Sequence, residues 1–141
     1  MSIEIRLLGP DDLGAFDHVA DGVFDHQVDP GLAREFLADS RHHMVVAIED
    51  GVVVGMGSAV DYIHPDKPRQ LWINEMGVAP SHQRRGIGKQ ILAALLSHGR
   101  AIGCTEAWLG TELHNEPARR LYESAGGKGE AFVLYSFEYP S

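Results

Sequence analysis

Residues 71–110 carry a strand, turn, helix, strand series that leaves few folds open. The apolar run Leu71–Val78 reads as a strand. Gly86 to Ile102 reads as a long helix, with Ile87, Ile91, Leu92, Leu95 and Leu96 recurring at 3.6-residue spacing. Thr105–Gly110 reads as a second strand, carrying Trp108 and placed centrally. Such a unit implies parallel strands joined by a right-handed crossover. The turn between strand and helix holds Gln83, Arg84, Arg85, Gly86, Ile87, Gly88 and Lys89. Backbone N–H groups at a helix N-terminus have no helical acceptor and favour an anion, and glycine lets an anion approach closely.

The flanking sequence completes one layered pattern. Ile3–Leu8 alternates as a strand, and Gly9-Pro10-Asp11-Asp12 marks a turn and helix start. Leu13, Phe16, Ala20, Val23 and Phe24 follow helical spacing, and Gly31–Ala38 reads as a second short helix. Met44–Glu49 and Val52–Tyr62 flank Glu49-Asp50-Gly51, a hairpin signal. A polar loop with Pro65 and Pro68 follows. Asn115–Ala125 reads as a helix with Asn115 as N-cap, Pro117 in its first turn and Gly126-Gly127 at its end. Lys128–Tyr139 reads as one bent strand or two short ones. The expected fold is α/β: a mixed central sheet of six to seven strands flanked by about four helices, in one domain over residues 1–141.

Composition narrows the function. A length of 141 residues suits one core. Net charge is −8, with 20 acidic and 12 basic residues, which argues against a nucleic-acid partner. Residues 1–30 hold Glu4, Asp11, Asp12, Asp17, Asp21, Asp25 and Asp29 against Arg6 alone, so a cationic partner is expected. No apolar run approaches the roughly 18 residues of a membrane span. Met1-Ser2-Ile3-Glu4 lacks the basic and apolar regions of a signal peptide, and Cys104 stands alone, so a cytoplasmic location is expected. Cys104 is read as a core thiol and His42-His43 as a surface pair. The eight histidines show no His-x-x-x-His pair, so no metal site is expected.

Two nucleotide-loop patterns fail. A Walker A loop needs glycine where Gln83 stands and Ser or Thr where Gln90 stands. A dinucleotide fingerprint needs glycine at Ile91. The remaining pattern, Gln83-x-x-Gly86-x-Gly88 with Val78-x-Pro80 before it, resembles the coenzyme A pyrophosphate loop of the GNAT superfamily of N-acetyltransferases. The element order also resembles that fold over nearly the whole chain. The resemblance implies acetyl-CoA as cofactor, held between diverging strands 71–78 and 105–110. It implies pyrophosphate contacts from Gln83, Arg84, Arg85, Gly86, Ile87, Gly88 and Lys89. Backbone near Met76, Gly77 and Val78 would face the thioester oxygen as an oxyanion hole. Asn115 resembles the family's pantetheine-contacting asparagine, and as a helix cap it needs no ligand. Leu121-Tyr122-Glu123-Ser124-Ala125-Gly126 resembles the family's Leu-Tyr-x-x-x-Gly motif, in which Tyr122 would protonate the leaving thiolate. Gly127 departs from the family, which usually has Phe there.

Acceptor-side residues are less patterned. Glu75 shares a strand face with Leu71 and Ile73 by simple alternation, and a carboxylate there is costly unless paired or exposed. Partial burial would raise its pKa toward that of a general base; a splayed, exposed strand position or an ion pair is the other reading. Asp17, Asp21 and Asp25 fall at i, i+4, i+8 on the expected first helix, either as a solvated stripe or as a wall for a cation. Glu112, His114 and Glu116 could form the opposite wall. Tyr62–Arg69, Ile73–Val78 and Glu112–Ala118 resemble segments of the GNAT-type aminoglycoside 3-N-acetyltransferases. That likeness implies a small cationic amine acceptor near Asp21, Asp25, Glu75, Glu112 and Glu116, and dimers are frequent in the superfamily. The alternatives are a protein, peptide or polyamine N-acetyltransferase, and a non-catalytic acyl-CoA-binding module.

Overall fold

Among the described residues, five strands pair in chain order: β1 (Glu4–Leu7), β2 (His42–Glu49), β3 (Val52–His64), β4 (Lys67–Val78) and β5 (Glu106–Trp108). The computed structural model describes residues 2–141. β1 to β4 are antiparallel neighbours, and β5 joins β4 in parallel. Among the described residues, three α-helices follow the expected positions: α1 (Pro30–Ala38), α2 (Ile87–Ala101) and α3 (Glu116–Ser124). The mixed sheet with its parallel crossover is the expected α/β fold, with fewer strands and helices than anticipated. Among the described residues, no helix is long and apolar enough to cross a membrane.

The chain divides into two compact units, Met1–Gly110 and Thr111–Ser141. In the first, α2 buries Ile87, Ile91, Leu92 and Leu95 on one face of the sheet. Gly57 makes that approach possible, since a Cβ there would stand 2.7 Å from both Ile91 and Leu95. The other face is covered by residues 8–24 and α1. Leu8, Val23 and Leu37 cluster there with Met44, Val46, Val53, Met56 and Ala79.

Several elements differ from the sequence expectation for identifiable reasons. The expected first helix is only a 3₁₀ turn, Leu13–Asp17. Beyond it the backbone bonds to β3 instead: Ala20 N donates to Val53 O and Val53 N donates to His18 O, both at 2.9 Å. Leu13, Phe16, Ala20, Val23 and Phe24 still pack on the core. The i, i+4, i+8 helical stripe of Asp17, Asp21 and Asp25 therefore does not form. The expected loop around Pro65 and Pro68 is a tight hairpin, with His64 registered opposite Lys67. β5 is a short edge strand in the sheet, and Trp108 is 48% exposed. His43 is buried, with its Nε2 2.6 Å from Asp61 Oδ2 and its Nδ1 2.9 Å from His98 Nε2. Its neighbour His42 is exposed, because adjacent strand residues face opposite sides.

In the second unit, Asn115 Oδ1 accepts from Ala118 N at 3.3 Å and caps α3. Gly126, at φ +95°, lets Gly127 N reach Tyr122 O at 2.9 Å. Residues 128–139, expected as one bent strand or two short ones, form no strand.

Candidate functional site

The β3–β4 register positions the site. Leu71 lies opposite Asp61 and Ile73 opposite Ala59, but Glu75 lies opposite Ser58. Asn74 is thus an extra residue, a β-bulge. Successive residues of β3 face opposite sides of the sheet, so the bulge turns Glu75 away from the face of Leu71 and Ile73. This corrects the simple alternation. Glu75 shares its face with Gly77, which is registered opposite Met56. A Cβ on Gly77 would run into the carbonyl oxygen of Val23, so only glycine lets residues 20–25 lie so close to β4.

Glu75 is exposed, yet its pKa is raised. Partial desolvation contributes most, followed by the charge of Asp25 and a hydrogen bond with it, while His26 offsets part of the rise. Asp17, Asp21 and Asp25 line an open cavity of about 530 Å³ together with Phe16, Phe24 and His26. The structure therefore brings the aspartates to one cavity by loop geometry, without the expected helix.

β4 and β5 part at the same place. Their register covers Gln70–Glu106, Leu71–Ala107 and Trp72–Trp108 and goes no further. The backbone of Ile73–Val78 has no strand partner on its β5 side among the described residues. The opening between the strands begins one residue before the bulge, and Met76, Gly77 and Val78 lie along it.

The turn after β4 is built to present N–H groups. Gly86 caps α2 at φ +78° with no side-chain cap, and no neighbour stands within 4 Å of where its Cβ would be. Its glycine identity is a matter of conformation, not space. Arg84 also adopts a left-handed conformation, at φ +65°. Among the described residues, the N–H groups of Arg84, Arg85 and Gly86 have no backbone acceptor, and those of Ile87, Gly88 and Lys89 lie in the first helical turn, which supplies none. Gln83 Nε2 donates to Val78 O at 3.2 Å and ties the turn to the end of β4. Arg85 Nη2 reaches Glu49 Oε2 at 3.3 Å, so its charge is engaged within the protein. These orphan donors fit a diphosphate.

The remaining candidates lie in the second unit. Tyr122 is half-buried, and desolvation pushes its phenol up. Glu116 pairs with Arg120 one turn along α3, at 3.6 Å. Glu112 lies 3.4 Å from His114. In the first unit, Cys104 is half-buried and its thiol is pushed up, chiefly by desolvation and then by Asp61. A raised thiol pKa opposes a nucleophilic role. Sequence reasoning did not find Glu49, His82 or His26, because ordinary strand and loop positions carry no local signal of their partners.

A family model described as "Acetyltransferase (GNAT) family" matches residues 14–127. The chain belongs to the GNAT acetyltransferase family. It is an N-acetyltransferase whose donor is acetyl-CoA. Among curated relatives of this GNAT chain, aminoglycoside N(6′)-acetyltransferase type 1 of Salmonella typhimurium is 28% identical over 130 residues, covering 89% of this chain and 79% of the relative. N-alpha-acetyltransferase RimI of Mycobacterium tuberculosis is 30% identical over 97 residues, covering 69% and 59%. The crystal structure of an aminoglycoside acetyltransferase, meta-AAC0020, from an uncultured soil metagenomic sample superposes with a TM-score of 0.79 over 99% of this chain and 97% of that one, at 18% identity. That structural likeness carries the GNAT fold alone.

Proposed function

We propose that the protein acetylates a primary amine of a small polycationic acceptor, an aminoglycoside, by direct transfer. One observation carries this reading: Asp17, Asp21 and Asp25 line a single open cavity beside Glu75. A cavity with three carboxylates suits several ammonium groups on one ligand. The curated relative named for aminoglycosides supports the same class.

Acetyl-CoA supplies an activated acetyl thioester when bound. The N–H groups of Arg84–Lys89 hold its pyrophosphate, with Gln83 fixing the turn. Asn115 serves the pantetheine arm as well as the helix cap. Backbone N–H near Met76, Gly77 and Val78 stabilises the oxygen that gains charge as the amine attacks. Glu75 accepts the proton that the acceptor ammonium loses to become the attacking amine, directly or through water, and its raised pKa suits it to that role. Tyr122 delivers a proton to the departing thiolate; its phenol is protonated at neutral pH, and burial pushes its pKa up further. Asp21 and Asp25, with Glu112 and Glu116 as further candidates, hold the other ammonium groups.

The segments around Tyr62, Ile73 and Glu112 favour acetylation at the 3-amine, whereas the Salmonella relative is named for the 6′-amine and favours that position. The RimI likeness favours a second reading, a protein N-terminal amine. Coenzyme A release measured across aminoglycosides, polyamines and peptides separates the classes, and NMR of the product assigns the amine. Turnover restricted to peptides would overturn the aminoglycoside reading.

A further inference from the structure

Glu49, the last residue of β2, does something the hairpin does not require. Its Oε1 lies 2.8 Å from His82 Nε2, and its Oε2 lies 3.3 Å from Arg85 Nη2. His82 Nδ1 lies 2.8 Å from Ser81 Oγ, so both ring nitrogens are engaged. Glu49 and His82 side chains are each 16% exposed, so their contact is not a loose surface pairing, whereas Arg85 is 45% exposed and is the outer of the two contacts. One carboxylate thus grips both sides of the Gln83-Arg84 dipeptide.

That dipeptide is where the turn is strained. Arg84 has a Cβ, and the left-handed region costs such a residue on the order of 1–2 kcal/mol. A conformation of this kind persists only where its surroundings over-determine it. Gln83 holds the turn to Val78 on one side, and Glu49 holds it on the other. The left-handed Arg84 and Gly86 are what leave consecutive N–H groups without backbone acceptors.

We propose that Glu49 is a positioning residue for diphosphate binding: it clamps His82 and Arg85 so that the Arg84–Gly86 N–H groups are preset for the anion. The inference rests on the reading of this turn as the coenzyme A pyrophosphate site. It carries an unusual sign. Glu49 is an anion beside an anion site, so by charge alone its removal should tighten coenzyme A binding. By preorganisation its removal should weaken binding.

The test is calorimetric titration of coenzyme A into the full chain, wild type, Glu49→Ala and Glu49→Gln, with steady-state kinetics beside it. The clamp predicts a coenzyme A Kd raised about tenfold in Glu49→Ala, a smaller rise in Glu49→Gln, and kcat at saturating acetyl-CoA unchanged. With S-acetylpantetheine, which lacks the pyrophosphate, KM should not move. An unchanged or lowered Kd in both variants overturns the clamp. A loss of kcat with either donor also overturns it, since that marks general structural damage. Failure of the wild type to bind coenzyme A would instead overturn the reading of the turn itself.

Discussion

The carboxyls of Glu75 and Asp25 meet at the end of β4, and Asp25 holds the pKa of Glu75 up by its charge and a hydrogen bond, adding to desolvation. The bulge at Asn74 makes this meeting possible, because without it Glu75 would face α2. Asp25→Asn should therefore lower the Glu75 pKa and shift the acid limb of kcat/KM to lower pH. Glu75→Gln should lower kcat by about 10² to 10⁴. The linkage sign follows from the raised pKa. Glu75 stabilises the fold while protonated, and that contribution is lost as pH rises through its folded pKa. Thermal melts should then show Glu75→Gln at least as stable as wild type above that pH. A variant that is both inactive and markedly less stable would point to a structural carboxylate.

Gly77→Ala tests the packing that brings the acidic segment to β4. The added Cβ meets backbone, the Val23 carbonyl oxygen, which cannot swing aside. Destabilisation of about 1–3 kcal/mol is expected by chemical denaturation. The acceptor KM should rise as well, because residues 20–25 must retreat with their aspartates.

Gly86→Ala isolates conformation from space. No atom lies within 4 Å of the new Cβ, so the cost is the left-handed backbone alone, about 1 kcal/mol. Steady-state kinetics should show a raised KM for acetyl-CoA and an unchanged acceptor KM.

Asp61→Asn probes the buried polar chain from His98 through His43 to Asp61 and Arg69. Burial alone would push the Asp61 carboxyl up, but hydrogen bonds and charge from His43 and Arg69 bring it below its usual value. Its stabilisation is therefore present above the ordinary aspartate pKa and is lost as pH falls through the lowered one. Arg69 is 42% exposed and its share is screened, so a loss of about 2–3 kcal/mol at neutral pH is expected, below that of a fully buried pair. Denaturant titration at pH 7 and again in acid should show the difference between variant and wild type shrinking.

How much the sequence revealed depended on whether the signal was local. The α2 spacing, its Gly86 start, the Asn115 cap and the Glu49-Asp50-Gly51 hairpin are set by neighbouring residues, and the structure has them where expected. The first helix failed because Val53 offers residues 18–20 a backbone partner that no local pattern reveals. The direction of Glu75 depended on one extra residue in the β3–β4 register, which alternation cannot show. His43 looked like half of a surface pair because Asp61 and His98 are distant in sequence. The grouping of Asp17, Asp21 and Asp25 was legible as charge, but its cause is a loop around a cavity.

The most direct measurement is coenzyme A release with an aminoglycoside as acceptor, for wild type and for Asp21→Asn with Asp25→Asn. The proposed function predicts turnover by the wild type. It predicts an acceptor KM raised about tenfold or more in the double variant, with the acetyl-CoA KM unchanged. Turnover confined to peptides, or an acceptor KM that ignores the loss of both carboxylates, would contradict it.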